Sequence, residues 1–361
     1  MKNVLALILF STLAWMAPVN MTSAQSLKEE VPLGALDNAT LFQQWVSRFR
    51  PLFIQRMNDA QPGAITSFQI VATEQRTGFK LYTVAATHAS GFNMGGQIDG
   101  GVLAVPDVVD PTKPIAVAIH GHEETPWGTY PTFLFNGEWA LDLVNAGFIT
   151  WAPVSMIHKP FSNITYALGG IGNDKGDVYG YIPIWAKMMS DGIDKLDSLG
   201  LGLQHNGYAA LGVSGGAQIA FTLMAYRQDV RVGVFAGGQQ PLDFYRREYA
   251  TMQHERCWDI PGITSFTQIK ALIAPRPIEF QLGRQDPWWP DQTPFPPQQP
   301  WFQGSSRDVL VDEIAGQLLI LKEIWQTMGG GVVKQYLHDE GHQMMPAEAI
   351  AFINANTQPS N

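Results

Sequence analysis

A serine hydroxyl is a weak nucleophile until a base removes its proton, so the residues to look for are a serine in an unusual backbone setting and a histidine able to reach it. Gly212-Val213-Ser214-Gly215-Gly216 satisfies G-x-S-x-G, following the apolar run Tyr208 to Leu211 and preceding a helical segment that starts near Ala217. Small neighbours permit a sharp strand-to-helix turn, which holds the serine in strained backbone, exposes Oγ and leaves the next N–H free. Ser214 is the candidate nucleophile, and the backbone N–H of Gly215 the first candidate donor to an oxyanion. The competing reading is an ordinary glycine-rich turn with an incidental serine, and the partners elsewhere in the chain decide between the two.

The candidate base is His342, in His338-Asp339-Glu340-Gly341-His342 beyond the last apolar run Val332 to Leu337, where Gly341 allows a tight turn. His338 is its competitor, but it falls at the strand end and reads as a hydrogen-bonded supporting residue. The candidate acid is Asp286, which closes Phe280-Gln281-Leu282-Gly283-Arg284-Gln285-Asp286-Pro287 after the preceding strand. A buried carboxylate there would hold the imidazole in the right tautomer and stabilise the imidazolium. Asp339 and Glu340 are alternatives, disfavoured as sequence neighbours of His342. A second oxyanion donor is expected from Ile119-His120-Gly121-His122, with the backbone N–H of His122 as the choice. Such a donor meets charge that appears only in the transition state and is worth on the order of 3 kcal/mol. His120 and His122 could instead begin a metal site, but no clear third ligand accompanies them, so no metal is expected.

These residues need a scaffold that presents strand ends side by side. Short apolar runs at Ile115 to Ile119, Phe148 to Ala152, Tyr208 to Val213, Val232 to Ala236, Ile278 to Leu282 and Val332 to Leu337 read as parallel strands. Helical patterns at Phe135 to Ala146, Tyr181 to Leu199, Ala217 to Tyr226 and Ile314 to Met328 supply the crossovers. Lys80 to Val84 and Gly101 to Val105 read as an opening antiparallel pair. Upstream, Leu41, Phe42, Trp45, Val46 and Phe49 recur at helical spacing, giving an N-terminal helical extension over about 38–60 that Pro51 is expected to interrupt.

Bulk properties narrow the function classes. A chain of 361 residues, 45% hydrophobic and 15% charged, can bury one large core, and no linker divides it. A net charge of −9 without a Lys/Arg cluster argues against nucleic acid and anionic membrane surfaces as partners. Lys2, the interrupted apolar run Val4 to Ala17 and the small residues Thr22-Ser23-Ala24 read as a signal peptide over 1–24. A secreted or periplasmic domain over 25–361 follows, with no membrane span after processing. Cys257 is the single cysteine, so no internal disulfide can staple the fold.

Taken together, the serine elbow, the His120-Gly121 turn, Ala271-Leu272-Ile273-Ala274-Pro275-Arg276-Pro277 and Asp339-Glu340-Gly341-His342 resemble the α/β-hydrolase superfamily. The likeness covers most of the chain after about residue 75, and is narrowest to the acetyl-xylan-esterase and dienelactone-hydrolase-like branches. The chain order Ser214, Asp286, His342 matches that superfamily. The resemblance implies an eight-stranded, mostly parallel sheet with helices on both faces, and carboxylic-ester hydrolysis through an acyl-enzyme, usually without a cofactor. A serine peptidase of the same fold and a catalytically silent binding protein are the alternatives. The aromatic-rich segment 287–306 departs from the general pattern. Its Trp288, Trp289, Phe295, Trp301 and Phe302 follow the candidate acid, while Trp127 and Tyr130 follow the oxyanion turn. Trp288, Trp289, Trp301, Trp127 and Tyr130 are the candidate substrate-binding residues, suited to stacking on a small-molecule or carbohydrate ester, although packing of the loop onto the core is an equal reading. Arg276 and Arg284 are further candidates for a substrate carboxylate, with ordinary salt bridges the simpler role.

Overall fold

The computed structural model describes residues 35–59, 65–88, 100–121, 134–154, 181–238, 265–286 and 307–357. The expected signal peptide, His122, Trp127, Tyr130 and the whole of 287–306 lie outside them.

Among the described residues, nine strands form one sheet in the order β1-β2-β3-β5-β4-β6-β7-β8-β9. They are β1 (Ile65–Arg76), β2 (Phe79–His88), β3 (Gly101–Pro106), β4 (Ile115–Ile119), β5 (Thr150–Ala152), β6 (Tyr208–Val213), β7 (Val230–Ala236), β8 (Ile278–Gly283) and β9 (Val333–His338). Pairing is antiparallel from β1 through β2 and β3 to β5. It is parallel from β5 through β4, β6, β7 and β8 to β9. Eight strands were expected from the resemblance; the ninth is β1, whose residues are mostly exposed. A polar edge strand of this kind carries little of the apolar signal by which strands are found in sequence.

Among the described residues the α-helices are α1 (Ala39–Asp59), α2 (Trp139–Asn145), α3 (Tyr181–Leu196), α4 (Gly215–Tyr226), α5 (Phe266–Ala271), α6 (Arg307–Thr327) and α7 (Pro346–Thr357). Strand alternation sorts the core into two layers. On one face Ile115, Val117, Ile119, Tyr208 and Ala210 join residues of α1, α3, α4, α5 and α6. On the other, Ala116, Ala118, Ala209 and Leu211 meet α2 and α7. Both faces are covered, as the apolar runs require.

Pro51 does not interrupt α1, which runs through it. A proline inside a helix costs roughly 3 kcal/mol. Phe42, Trp45, Phe49, Phe53 and Met57 are all buried along this helix, and each such side chain contributes about 1.5–3 kcal/mol. Burial therefore outweighs the broken ladder. Asn38 starts the helix by accepting the N–H of Leu41 on Oδ1 at 3.1 Å.

Candidate active site

Parallel strands present their C-terminal ends along one edge, and the sequence-derived candidates collect there. Ser214 follows β6, Asp286 follows β8 and His342 follows β9. Since β7 lies between β6 and β8, whatever follows β7 must sit between the serine and the other two.

The elbow is strained as its motif demands. Ser214 has φ 58° and ψ −126°, and among the described residues it is the single non-glycine with positive φ. That conformation, outside even the usual left-handed region, costs of order 1–3 kcal/mol and survives only where its surroundings over-determine it. Here the Ser214 N–H donates to the Ala236 carbonyl of β7 at 2.7 Å, while its own carbonyl accepts the N–H of Ala217 at 3.0 Å and opens α4. No side chain could replace Gly216, because a Cβ there would meet the His120 carbonyl oxygen at 2.3 Å. Gly215 is the first residue of α4, so its N–H has no acceptor within the helix. The turn before His122 also reaches the elbow: a Cβ on Gly121 would lie 3.0 Å from that of Ser214. His120 is buried, and its Nδ1–H donates to the Gly121 carbonyl at 2.9 Å.

His342 Nδ1 lies 2.6 Å from Asp286 Oδ2. A carboxylate only accepts, so Nδ1 carries the proton and Nε2 holds the free lone pair. Asp286 is 2% exposed. The Nε2 atom of His342 is shielded from solvent and has no hydrogen-bond partner among the described residues. Such a nitrogen can take up a proton brought to it.

Serine and histidine share a wall that the sequence analysis missed. Gly237, at φ +64°, would place a Cβ 2.5 Å from His342 Cε1, 2.7 Å from Nδ1 and 3.4 Å from Asp286 Oδ2. A Cβ on the adjacent Gly238 would lie 2.5 Å from the Ser214 carbonyl oxygen. The dipeptide after β7 therefore lies against the imidazole on one side and the elbow on the other. The signal was present as a Gly-Gly pair directly after the apolar run that precedes it.

Other candidates separate from the site. His338 is buried, and neither ring nitrogen has a partner among the described residues, so the expected hydrogen-bonded support is not found among them. Its ring stacks on Tyr336 at 6.0 Å, and burial pushes its pKa down. Asp339 pairs with Arg284 at 3.1 Å, both exposed. Arg276 precedes β8 and so lies at the opposite end of the sheet; its Nη1 donates to the carbonyls of Arg227 and Val230 at 2.6 and 2.7 Å. No group of three or more His, Cys, Asp or Glu able to hold a metal exists among the described residues.

No family model matches the sequence, and no curated protein matches it. Solved structures do. A Bacteroides fragilis protein assigned as an acetyl xylan esterase superposes with TM-score 0.56 at 14% identity, covering 83% of this chain and 76% of its own. A glucuronoyl esterase from Solibacter usitatus gives 0.56 at 12% identity, covering 95% and 99%. A glucuronoyl esterase of carbohydrate esterase family 15 from Teredinibacter turnerae gives 0.53 at 14% identity, covering 98% and 99%. At such identities the likeness is one of architecture, and it agrees with the sheet order, the serine elbow and the helices on both faces: the chain has the α/β-hydrolase fold.

Proposed function

We propose that this protein is a serine hydrolase of carboxylic esters, exported by the signal peptide over 1–24 and acting through Ser214, His342 and Asp286. The observation that carries the reading is the His342–Asp286 pair. A buried carboxylate 2.6 Å from Nδ1 leaves Nε2 as the free base, and the ring lies against the same glycine pair that touches the strained Ser214.

In this reading His342 Nε2 takes the Ser214 hydroxyl proton as Oγ attacks the ester carbonyl carbon. The oxygen of the tetrahedral intermediate gains negative charge and is held by the N–H groups of Gly215 and His122. The intermediate collapses, the alcohol leaves with the proton from His342, and the acyl group stays on Oγ. Water then attacks the acyl carbon, giving a proton to Nε2, and collapse releases the acid and restores Ser214. Asp286 keeps the ring oriented throughout and is not itself protonated.

An acylated carbohydrate is the substrate class best supported. The structural neighbours named above are carbohydrate esterases, and the segment after Asp286 is rich in tryptophan, whose faces suit sugar rings. Trp288, Trp289, Trp301, Trp127 and Tyr130 are the side chains proposed to line that subsite.

Labelling of the purified mature protein with a fluorophosphonate tests the mechanism. Wild type should be labelled, with labelling lost in Ser214→Ala and slowed by orders of magnitude in His342→Ala. Folded wild-type protein that takes up no probe would overturn the hydrolase reading and favour a silent binding protein. A panel of sugar acetates, uronate methyl esters and longer acyl esters then identifies the ester.

A further inference from the structure

Strand β8 carries two polar side chains although all six of its residues are buried. Ile278, Phe280 and Leu282 join the core on one face, so alternation sends Glu279 and Gln281 to the other. A buried polar group left unpaired costs about 1–3 kcal/mol. Such residues are retained when they make bonds that an apolar side chain could not.

Those bonds run to the loop that carries His342. Gln281 Oε1 accepts the Met345 N–H at 2.7 Å, and Nε2 donates to the Met345 carbonyl at 3.2 Å. The amide thus grips both peptide groups of the residue before α7, three positions beyond His342. Nε2 also donates to Glu279 Oε1 at 2.8 Å. Because a carboxylate oxygen accepts and does not donate, Glu279 dictates which way the amide is turned, leaving Oε1 for Met345. Glu279 is held in turn by Lys334, whose Nζ lies 3.1 Å from Oε2 as an ion pair without hydrogen-bond alignment. Lys334 also bonds to Glu348 on α7.

Two further contacts make this grip specific to the imidazole. On the other side of His342, the Glu340 carbonyl accepts the Gln285 N–H at 3.0 Å, so the loop is held before and after the histidine. The backbone carbonyl of Gln281 itself accepts the Gly237 N–H at 3.1 Å, and Gly237 lies against the imidazole. One residue therefore fixes both the exit of the histidine loop and the wall facing the ring.

We propose that Gln281, turned by Glu279, is a positioning residue for His342. The proposal rests on the reading of His342 as the base. It is tested by steady-state kinetics on a small aryl acetate, together with the downfield NMR resonance of the His342 Nδ1 proton. In Gln281→Met, which keeps the length of the side chain but not its bonds, kcat should fall about ten- to a hundredfold, the cost of misplacing a reacting group by about 1 Å. KM should stay within about twofold, and the downfield resonance should broaden or vanish in folded protein. Phe280→Leu, on the opposite face, serves as the destabilised control that keeps kcat. If Gln281→Met fails to fold, Gln281→Asn carries the same expectation, since it withdraws the amide from Met345 by one methylene. Wild-type kcat and an unchanged resonance in the folded variant, alongside an inactive His342→Ala, would overturn the positioning role alone. Full activity in His342→Ala would remove the base, and this proposal with it.

Discussion

Gly237 offers the sharpest test of the site because its effect can be worked from distances. In Gly237→Ala the new methyl would lie 2.5 Å from His342 Cε1 and 2.7 Å from Nδ1. Carbon atoms in contact prefer about 3.5–4.0 Å, so the ring or the backbone must yield by about 1 Å. The backbone is poorly placed to do so: its N–H is bonded to Gln281, and φ +64° itself costs an alanine roughly 1–2 kcal/mol. The ring sits on a flexible side chain and will take most of the shift, away from the Asp286 oxygen that orients it. A displacement of about 1 Å at a reacting group costs on the order of a hundredfold in rate. We therefore expect kcat for an aryl acetate to fall about a hundredfold with KM little changed, and fluorophosphonate labelling of Ser214 to slow in proportion. Thermal unfolding, measured in parallel, should show a loss of only about 1–2 kcal/mol. A folded Gly237→Ala protein with wild-type kcat would refute the placement of the imidazole against this glycine.

Three further expectations follow from particular groups. Asp286→Asn would present an amide to Nδ1, favouring the wrong tautomer, and should lower kcat by about 10⁴ with KM largely preserved; retention of full activity would point to another acid. His338→Phe should leave kcat within about twofold, because neither ring nitrogen of His338 has a partner among the described residues. Inactivity there, with an active His342→Ala, would exchange the roles of the two histidines. Lys270 lies beside the rings of Phe221 and Phe280 at 4.9 and 5.3 Å, and burial pushes its pKa down to about 7. An unfolded lysine keeps its proton to about pH 10. Between about pH 7 and 10 the unfolded chain thus binds more protons, and this residue makes stability rise with pH by at most about 1.4 kcal/mol per unit. Lys270→Met should raise Tm at pH 7 and flatten the rise of Tm between pH 7 and 9; a curve parallel to wild type would contradict the burial argument.

The parts of this molecule that were legible in sequence are those where one local pattern has one physical solution. Ile115–Ile119 and Tyr208–Val213 are strands with the expected bounds, because an apolar run of five or six residues between turn residues is too short for a buried helix and fits a doubly covered strand. The serine elbow was legible for the same reason: glycines on both sides of Ser214 serve one geometry. β1 was not, because an exposed edge strand is chosen by its pairing with β2, and pairing is not written into its own composition. α5 and α7 were passed over as well; α5 is only six residues long, too short for a helical period to show. Phe135 to Ala146 shrank to α2 at Trp139–Asn145, an end effect of the kind that tertiary contacts decide.

Within the proposed site the same distinction separates the groups proposed to react from those proposed to hold them. A nucleophile, a base and an acid must be of particular types, so residue identity and chain order are enough to narrow the search for them. Gly237 and Gln281 would act by where they stand. A glycine after β7 matters because β7 lies between β6 and β8, a relation that no window of sequence contains. Gln281 did leave a trace, since Glu279 and Gln281 break an otherwise apolar strand at alternate positions, on one face. A polar pair of that kind in a buried strand must be matched by partners, and in a sheet whose strand ends carry the proposed reacting groups those partners are naturally sought in the next loop along. Here they are the peptide groups of Met345, three residues past the histidine.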